Sequence, residues 1–341
     1  MNSFTLTQAS AIEEAVRDFA GHDGAAYLGG GTNLIDLMKE NVSRPTHLTS
    51  LGHLPLTRIE ALPDGGLRLG ALVTNNATAY DEQVQARYPL LSQTILAGAT
   101  PQLRNMATNG GNLLQRTRCY YFYDLATPCN KREPGTGCSA AGGYNRVCGV
   151  LGTSESCIAT HPSDMCVALA ALEAVVRVQG PDGERTIKFE DFHRLPEDQP
   201  EIDNTLKTGE LITGIDLPAE GYADHFTYLK LRDRSSYAFA LVSVAVGLKM
   251  EGSTIKKARF ALGGVAHKPW RDQEAEQMLE GQTASPDLFR QVAAKVFEKA
   301  KGYGSNSFKI ELGRRAIVRA LKQAVEMDQT INPNAFLNSN P

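Results

Sequence analysis

No apolar run in the 341-residue sequence approaches the length of a membrane span. The longest, Met165 to Val176, has twelve residues and contains Glu173, against the roughly 20 that a spanning helix needs. Charge of one sign is not in excess either. Lys+Arg 35 against Asp+Glu 38 gives a net charge of −3, which leaves no basic field for nucleic acid or an anionic membrane. The start, MNSFTLTQASAIEEAV, has no basic segment followed by an apolar stretch, so no secretory signal of its own is expected. The seven histidines are dispersed, with no His-x3-His pair and no evident partner for a serine or cysteine nucleophile. Repeats and low-complexity tracts are missing as well. What remains is 42% hydrophobic and 21% charged, an ordinary globular composition, long enough for two or three domains of about 150 residues.

Cysteine is absent from two-thirds of the chain and concentrated in the rest. All six fall between positions 119 and 166: Cys119, Cys129, Cys138, Cys148, Cys157 and Cys166. Zinc ribbons and fingers bring ligands in pairs two to four residues apart. Here eight or nine residues separate neighbours, so each sulfur comes from a different loop. The intervening CNKREPGTGCSAAGGYNRVCGVLGTSES is rich in Gly, Ser and Asn and cannot order itself by burying a core. Disulfides, a metal ion or an iron–sulfur cluster would each staple it. A reducing compartment disfavours the first, and all-sulfur coordination suits zinc or a cluster. Cys166 lies in the apolar run and is expected to be a buried hydrophobe.

Ile12, Ala15, Val16, Phe19 and Ala20 recur at helical spacing, which predicts a helix over 8–20. A strand at Ala26–Leu28 then enters Gly29-Gly30-Gly31-Thr32-Asn33 and a helix Leu34–Lys39. Strand, glycine turn and helix start form an arrangement that admits an anion to backbone N–H groups, although the motif is neither GxGxxG nor a Walker loop. A second such turn is Thr108-Asn109-Gly110-Gly111-Asn112. Asp164 opens a helix to about Leu172, and strands follow at 174–179 and 210–217. Pro218-Ala219-Glu220-Gly221 is the best boundary. Beyond it come strands near 226–231, 240–250 and 256–263, then helices near 270–279, 286–301 and 308–327, an α+β pattern. Ser285-Pro286 is a good helix start. Trp270 is expected as a core or interface anchor, His161 as a structural hydrogen-bonder, and Lys309, Arg314 and Arg315 as a solvated helix face.

Taken together, LGGGTNL at 28–34, TNGGNL at 108–113, Pro162-Ser163-Asp164 and Tyr228-Leu229-Lys230 resemble the FAD-binding subunit of the molybdenum hydroxylase family, over roughly residues 3–325. That family includes xanthine dehydrogenases, carbon monoxide dehydrogenase and aldehyde oxidoreductases. TRCYYFYD, PCNKREPGTGC and SESCIATHPSDM are similar to the flavin subunits of three-subunit periplasmic aldehyde oxidoreductases, which carry an additional 4Fe-4S cluster.

The resemblance implies an α+β fold with a two-part FAD domain of the vanillyl-alcohol oxidase type over 1–220. An iron–sulfur insertion would occupy about 118–158, and a smaller C-terminal domain 221–330. It implies FAD contacts from Ala26, Tyr27, Leu28, Gly29, Gly30, Gly31, Thr32, Asn33 and Leu34, from Thr108 and Gly111, and from Asp124, Asp164, Ile212 and Lys230. Cluster ligands would be Cys119, Cys129, Cys138 and Cys157, with Cys148 and Cys166 off the pattern. Lys230 would tune the flavin as a nearby cation. No residue of the chain would be catalytic toward substrate. Partners would be a molybdopterin-containing large subunit, a small subunit with 2Fe-2S clusters and an external electron acceptor. Export to the periplasm would occur with a signal-bearing partner. Two rival readings are a cytoplasmic xanthine dehydrogenase-like or aromatic-thioester reductase subunit, and a zinc-stapled scaffold without flavin.

Overall fold

The computed structural model describes residues 1–327; residues 328–330, the end of the expected C-terminal domain, lie outside them. The chain begins with a small parallel sheet, β1 (Thr5–Gln8), β2 (Ala25–Leu28) and β3 (His47–Ser50), ordered β1-β3-β2. Its first connection is the helix Ile12–Ala20, which buries Ala15 and Val16. That helix starts four residues later than its periodicity predicts, because Thr5–Gln8 are taken by pairing with β3. Glu13 and Glu14 in its first turn and Arg17 in its last suit the helix dipole. The second connection holds the glycine turn and the helix Leu34–Lys39.

A five-stranded antiparallel sheet follows, formed by β4 (Ile59–Ala61), β5 (Leu67–Gly70), β6 (Val175–Gly180), β7 (Gly183–Lys188) and β8 (Leu211–Leu217), in the order β4-β5-β8-β6-β7. Between β5 and β6 the chain makes a series of short helices, then the cysteine segment, then the helix Asp164–Ala171. Met165 to Leu172 are all buried, as expected of a helix apolar on every face. This helix packs on the helix Pro89–Leu96 on one side and on the C-terminal sheet on the other. Val167 fills the space beside Gly263, where a Cβ would come within 2.7 Å of it.

The C-terminal sheet is a meander of β9 (Phe226–Leu231), β10 (Val242–Glu251) and β11 (Thr254–Gly263). Helices Gln273–Gln277, Pro286–Val296 and Phe308–Val325 follow it. Ser285 caps the second of these through Leu288 N, as its sequence predicts. Val244, Phe260, Val292, Ile317 and Leu321 belong to the core between sheet and helices. Trp270 packs against this core as an anchor. It sits in a bridge to Leu262 rather than opening a helix, because the strand partner takes its backbone groups. No helix among the described residues is long and apolar enough to cross a membrane.

One expectation is reversed by the packing. Lys309 is wholly buried, not solvated. Its Nζ donates to Val147 O at 3.0 Å and Gly264 O at 2.8 Å, and burial lowers its pKa to about 7. Arg314 is half-buried, with its Nε enclosed, and only Arg315 is exposed as expected.

Candidate functional site

The first glycine turn leaves β2 at Leu28 and reaches the helix at Leu34. Gly31 takes φ +74, which only glycine adopts without strain. Gly30 lies against the backbone of the second turn: a Cβ there would stand 1.8 Å from Met106 O. Gly29 faces Thr108, whose Oγ1 would be 3.1 Å from its Cβ. The two turns, some 75 residues apart in sequence, are therefore one continuous surface. Thr108 Oγ1 accepts from Gly111 N at 3.2 Å, and Gly110 N donates to Ala71 O at 2.8 Å. Ile212, buried in β8, lies beneath this turn, with its Cβ 3.6 Å from where a Gly110 Cβ would be. Among the described residues the backbone N–H groups of Gly29 to Asn33 donate to no carbonyl. Asn33 Oδ1 accepts from Arg116 N at 3.0 Å, but its buried Nδ2 has no protein partner.

A buried amide network continues from the second turn. Asn112 Nδ2 donates to Asn75 Oδ1 at 2.6 Å, and Asn75 Nδ2 donates to Asn109 Oδ1 at 3.1 Å. Ser163 Oγ donates to Asn112 Oδ1 and caps the helix at Cys166 N. That contact brings Asp164 to the same side. Lys230 Nζ donates to Asp164 Oδ2 at 2.7 Å and to Ala97 O at 3.1 Å, and Tyr228 OH donates to Asp164 Oδ1. The Lys230 side chain is 5% exposed and that of Asp164 12%. Burial, and then the Asp164 carboxylate, push the Tyr228 hydroxyl well above its usual pKa. Lys230 is thus one half of a buried ion pair rather than the free cation its sequence context implies, and the pair presents little net charge.

The cysteine segment packs on the helix Leu34–Lys39. Leu37 is clustered with Cys119, Cys129, Cys148, Cys157, Phe122 and Ile158. Arg118 Nη1 and Tyr123 OH both donate to Asp36 Oδ2, at 3.1 Å and 3.3 Å. All six cysteines are free thiols, and Cys166 is fully buried as expected. Cys119, Cys129, Cys138 and Cys157 line one pocket with Tyr121, Phe122 and Lys131; Cys148 does not line it. Backbone N–H groups point at these four sulfurs: Tyr121 and Phe122 at Cys119, Lys131 and Arg132 at Cys129, Ala140, Ala141 and Ile158 at Cys138, and Ala159 at Cys157. The Cys157 thiol, with those N–H groups, lowers Cys138 to about 6, while burial raises Cys129. Cys148 is in hydrogen-bond contact with Cys119 and lies near Lys309.

No three cysteine sulfurs among the described residues lie within 4.8 Å of one another. Tetrahedral zinc, with bonds of about 2.3 Å, would hold all its sulfurs about 3.8 Å apart; here Cys138 and Cys157 are in hydrogen-bond contact, but no third sulfur joins them at that range. Asp124 stays in this segment, where its carboxylate caps Ala126 N at 3.0 Å; no hydrogen bond ties it to the glycine turns.

Comparison with known proteins decides the family. The profile described as FAD binding domain in molybdopterin dehydrogenase matches residues 2–220. The CO dehydrogenase flavoprotein C-terminal domain matches residues 226–324. The chain is an FAD-binding subunit of the molybdenum hydroxylase family. It is 47% identical, over 95% of its own length and 99% of the other's, to the aldehyde oxidoreductase FAD-binding subunit PaoB of Escherichia coli K12. It is 26% identical to the glyceraldehyde dehydrogenase medium chain of Sulfolobus acidocaldarius, over 94% of this chain and 98% of that one. The CO dehydrogenase structure from Oligotropha carboxidovorans superposes with a TM-score of 0.76 at 23% identity, covering 96% of this chain and 99% of that one, which shows a shared fold.

The flavin subunit's cradle fits the group the family binds. A row of unpaired N–H groups, an orphaned Asn33 amide and glycines whose Cβ positions are already occupied suit the pyrophosphate of a dinucleotide. The ion pair beside it is expected to be structural first. Lys230→Met leaves the Asp164 carboxylate buried without its cation and should cost about 3 kcal/mol or more in thermal unfolding. The double replacement with Asp164→Asn should recover a large part of that loss, and additive losses would show that the pair does not interact.

Two residue sets escape the sequence reading. Lys131, 2% exposed, donates to Pro200 O at 2.6 Å and pairs with Asp203, which Arg116 Nε also reaches at 2.7 Å. Burial raises the Asp203 carboxyl, yet Lys131 and Arg116 outweigh it and hold its pKa down to about 2. Near them burial keeps His193 and His267 neutral, lowered to about 4 and about 3. Unfolded, each titrates near 6.5, so below that pH the unfolded chain binds more protons and stability falls. From pH 6.5 to 5 each histidine should cost about 2 kcal/mol. Urea midpoints at the two pH values measure the loss, and His267→Gln should remove one histidine's share.

Proposed function

We propose that the chain is the electron-transfer subunit of a heterotrimeric molybdenum aldehyde oxidoreductase, holding FAD on the glycine cradle and a 4Fe-4S cluster on Cys119, Cys129, Cys138 and Cys157. The observation that carries the substrate class is the 47% identity along nearly the whole chain to an aldehyde oxidoreductase subunit. The cluster is supported by the pocket's four sulfurs and their backbone N–H donors. Oxidation of an aldehyde to its acid belongs to a molybdopterin-bearing partner, with 2Fe-2S clusters on a small subunit between the two.

When bound, the cluster supplies one-electron relay and FAD supplies storage of two electrons for an external acceptor. The chain's own part is placement. Gly29 to Asn33 present N–H groups to the diphosphate, and Gly30 lets the two turns close on each other. Asp164, fixed by Lys230, Tyr228 and the Ser163 cap, offers oriented acceptors beside the cradle. The six-residue helix Leu34–Lys39, about 9 Å long, joins the cradle to the cysteine pocket and sets their separation. In this reading the compartment is the periplasm, reached with a signal-bearing partner. Fractionation with and without that partner tests it: the chain should be periplasmic only when co-expressed.

The test of function is anaerobic addition of an aromatic aldehyde to the assembled complex while flavin absorbance is followed. The flavin should bleach in the complex and not in the isolated chain. Bleaching by a purine instead, or reoxidation of the reduced flavin by an aromatic thioester, would assign the complex to another branch of the family.

A further inference from the structure

Outside the cradle and the cysteine pocket, one buried cluster of ligating side chains has no role in the account so far. His161, Cys166 and His193 each bring one ligand atom to within 4.8 Å of the other two. They come from three separate places: the loop before the Ser163 cap, the helix Asp164–Ala171 and the turn after the helix Phe189–Phe192. His193 is 3% exposed, Cys166 is fully buried, and His161 is enclosed as well. The two rings lie 4.3 Å apart between centroids.

Their hydrogen bonding is incomplete in a directed way. His193 Nε2 lies 2.8 Å from Leu113 O and donates its proton there. That fixes the tautomer with a bare lone pair on Nδ1, and Nδ1 has no protein partner. His161 Nε2 is likewise buried without one. A ring that gives one N–H to a carbonyl and turns the other nitrogen toward a cation is the usual support of a metal-bound histidine. Buried polar atoms are otherwise almost always paired, so two unpartnered nitrogens in one cluster with a thiol require a reason.

The geometry points to a second metal site in this chain, formed by His161, Cys166 and His193 and taking a single zinc ion. Two imidazoles and a thiolate match the nitrogen and sulfur preference of zinc. Their ligand atoms all lie within reach of one ion. Binding displaces the Cys166 thiol proton to solvent. It also places the His161 ring proton on Nδ1, giving up only a long 3.4 Å contact from Ser163 N. His193 also lines a surface cleft with Glu190, Asp191 and Lys268. The ion would tie together the loops on either side of Asp164, and so stiffen the wall of the flavin site from behind.

The experiment is elemental analysis of the purified complex, incubated with Zn2+ and desalted, with zinc, iron and FAD counted in the same sample and zinc K-edge absorption recorded. About one zinc per chain is expected, in a shell of nitrogen with one sulfur. Cys166→Ala and His193→Ala should each lose it while iron and FAD stay at the wild-type level. Should His193→Ala fail to fold, Cys166→Ala, which removes only a small buried thiol, carries the test. No zinc in the wild type, zinc retained in Cys166→Ala, or an all-sulfur shell would overturn the site. Because iron and FAD are counted alongside, none of these outcomes is confused with a failure of the electron-transfer reading.

Discussion

Replacing Cys157 with serine is expected to take the chain from about four iron atoms to almost none, while Cys148→Ala keeps the full complement. The two cysteines are equally enclosed, at 5% and 2% exposure, so burial does not separate them. Position does. Cys157 lines the pocket with Cys119, Cys129 and Cys138, and Ala159 N points at its sulfur, whereas Cys148 touches Cys119 from outside the lining. A serine oxygen is a poor substitute for soft thiolate coordination. The apolar material around the sulfurs is too sparse to hold the loop by itself: besides cysteine the buried side chains are Leu37, Phe122, Ala140, Ile158 and Ala159. The change should also loosen residues 118–158, read as loss of amide-exchange protection there. The far end should stay protected, because Lys309, Asn306 and Asn145 clamp it: Asn306 Nδ2 donates to Gly149 O at 2.8 Å and Asn145 Nδ2 to Tyr303 O at 2.6 Å. Iron retained in Cys157→Ser and lost in Cys148→Ala would reverse the ligand assignment.

Gly30→Ala is expected to be the most damaging single methyl in the flavin site. The added carbon would meet the Met106 carbonyl at 1.8 Å. Both groups are backbone, so neither can swing aside, and one of the two turns must shift. Overpacking of this kind costs about 3 kcal/mol or more, which for a 341-residue chain lowers Tm by roughly 4 °C or more. Displacing the turn also misaims the N–H groups of Gly29 to Asn33, so FAD affinity should fall more than tenfold. Gly52→Ala is the matched control. Its new Cβ meets nothing closer than Ser50 Oγ at 4.0 Å, and it should change stability by less than about 0.5 kcal/mol. Differential scanning calorimetry and flavin titration of the two variants decide between a steric cradle and an incidental turn.

The elements that the sequence reveals are those with strong local signals. The strand Ala25–Leu28, the glycine turn and the helix Leu34–Lys39 are adjacent in the chain, and their punctuation is unambiguous. The C-terminal strands are long and apolar, and β9 begins and ends where the pattern places it. Short strands are another matter. β1, with four residues, carries little pattern of its own and exists through pairing with β3. The ion pair of Asp164 with Lys230 joins residues 66 apart, and no local rule indicates that Lys230 is already neutralised. Lys309 sits on a helix whose Arg315, Arg319 and Lys322 are exposed and whose Arg314 is only half-buried. Its burial depends on the carbonyls of Val147 and Gly264, which only the assembled fold presents. The clustering of cysteines within 119–166 does announce a staple. Which sulfurs share a pocket is a property of three dimensions.

The central claim is that one chain holds flavin and an iron–sulfur cluster side by side, and its most direct test is stoichiometry. Anaerobically purified protein should contain about one FAD, four iron and four acid-labile sulfide per chain, with flavin bands near the visible edge superposed on broad iron–sulfur absorption. Flavin without iron would leave the fold and the cradle standing and remove the cluster. A protein with neither flavin nor iron after anaerobic isolation would contradict the account.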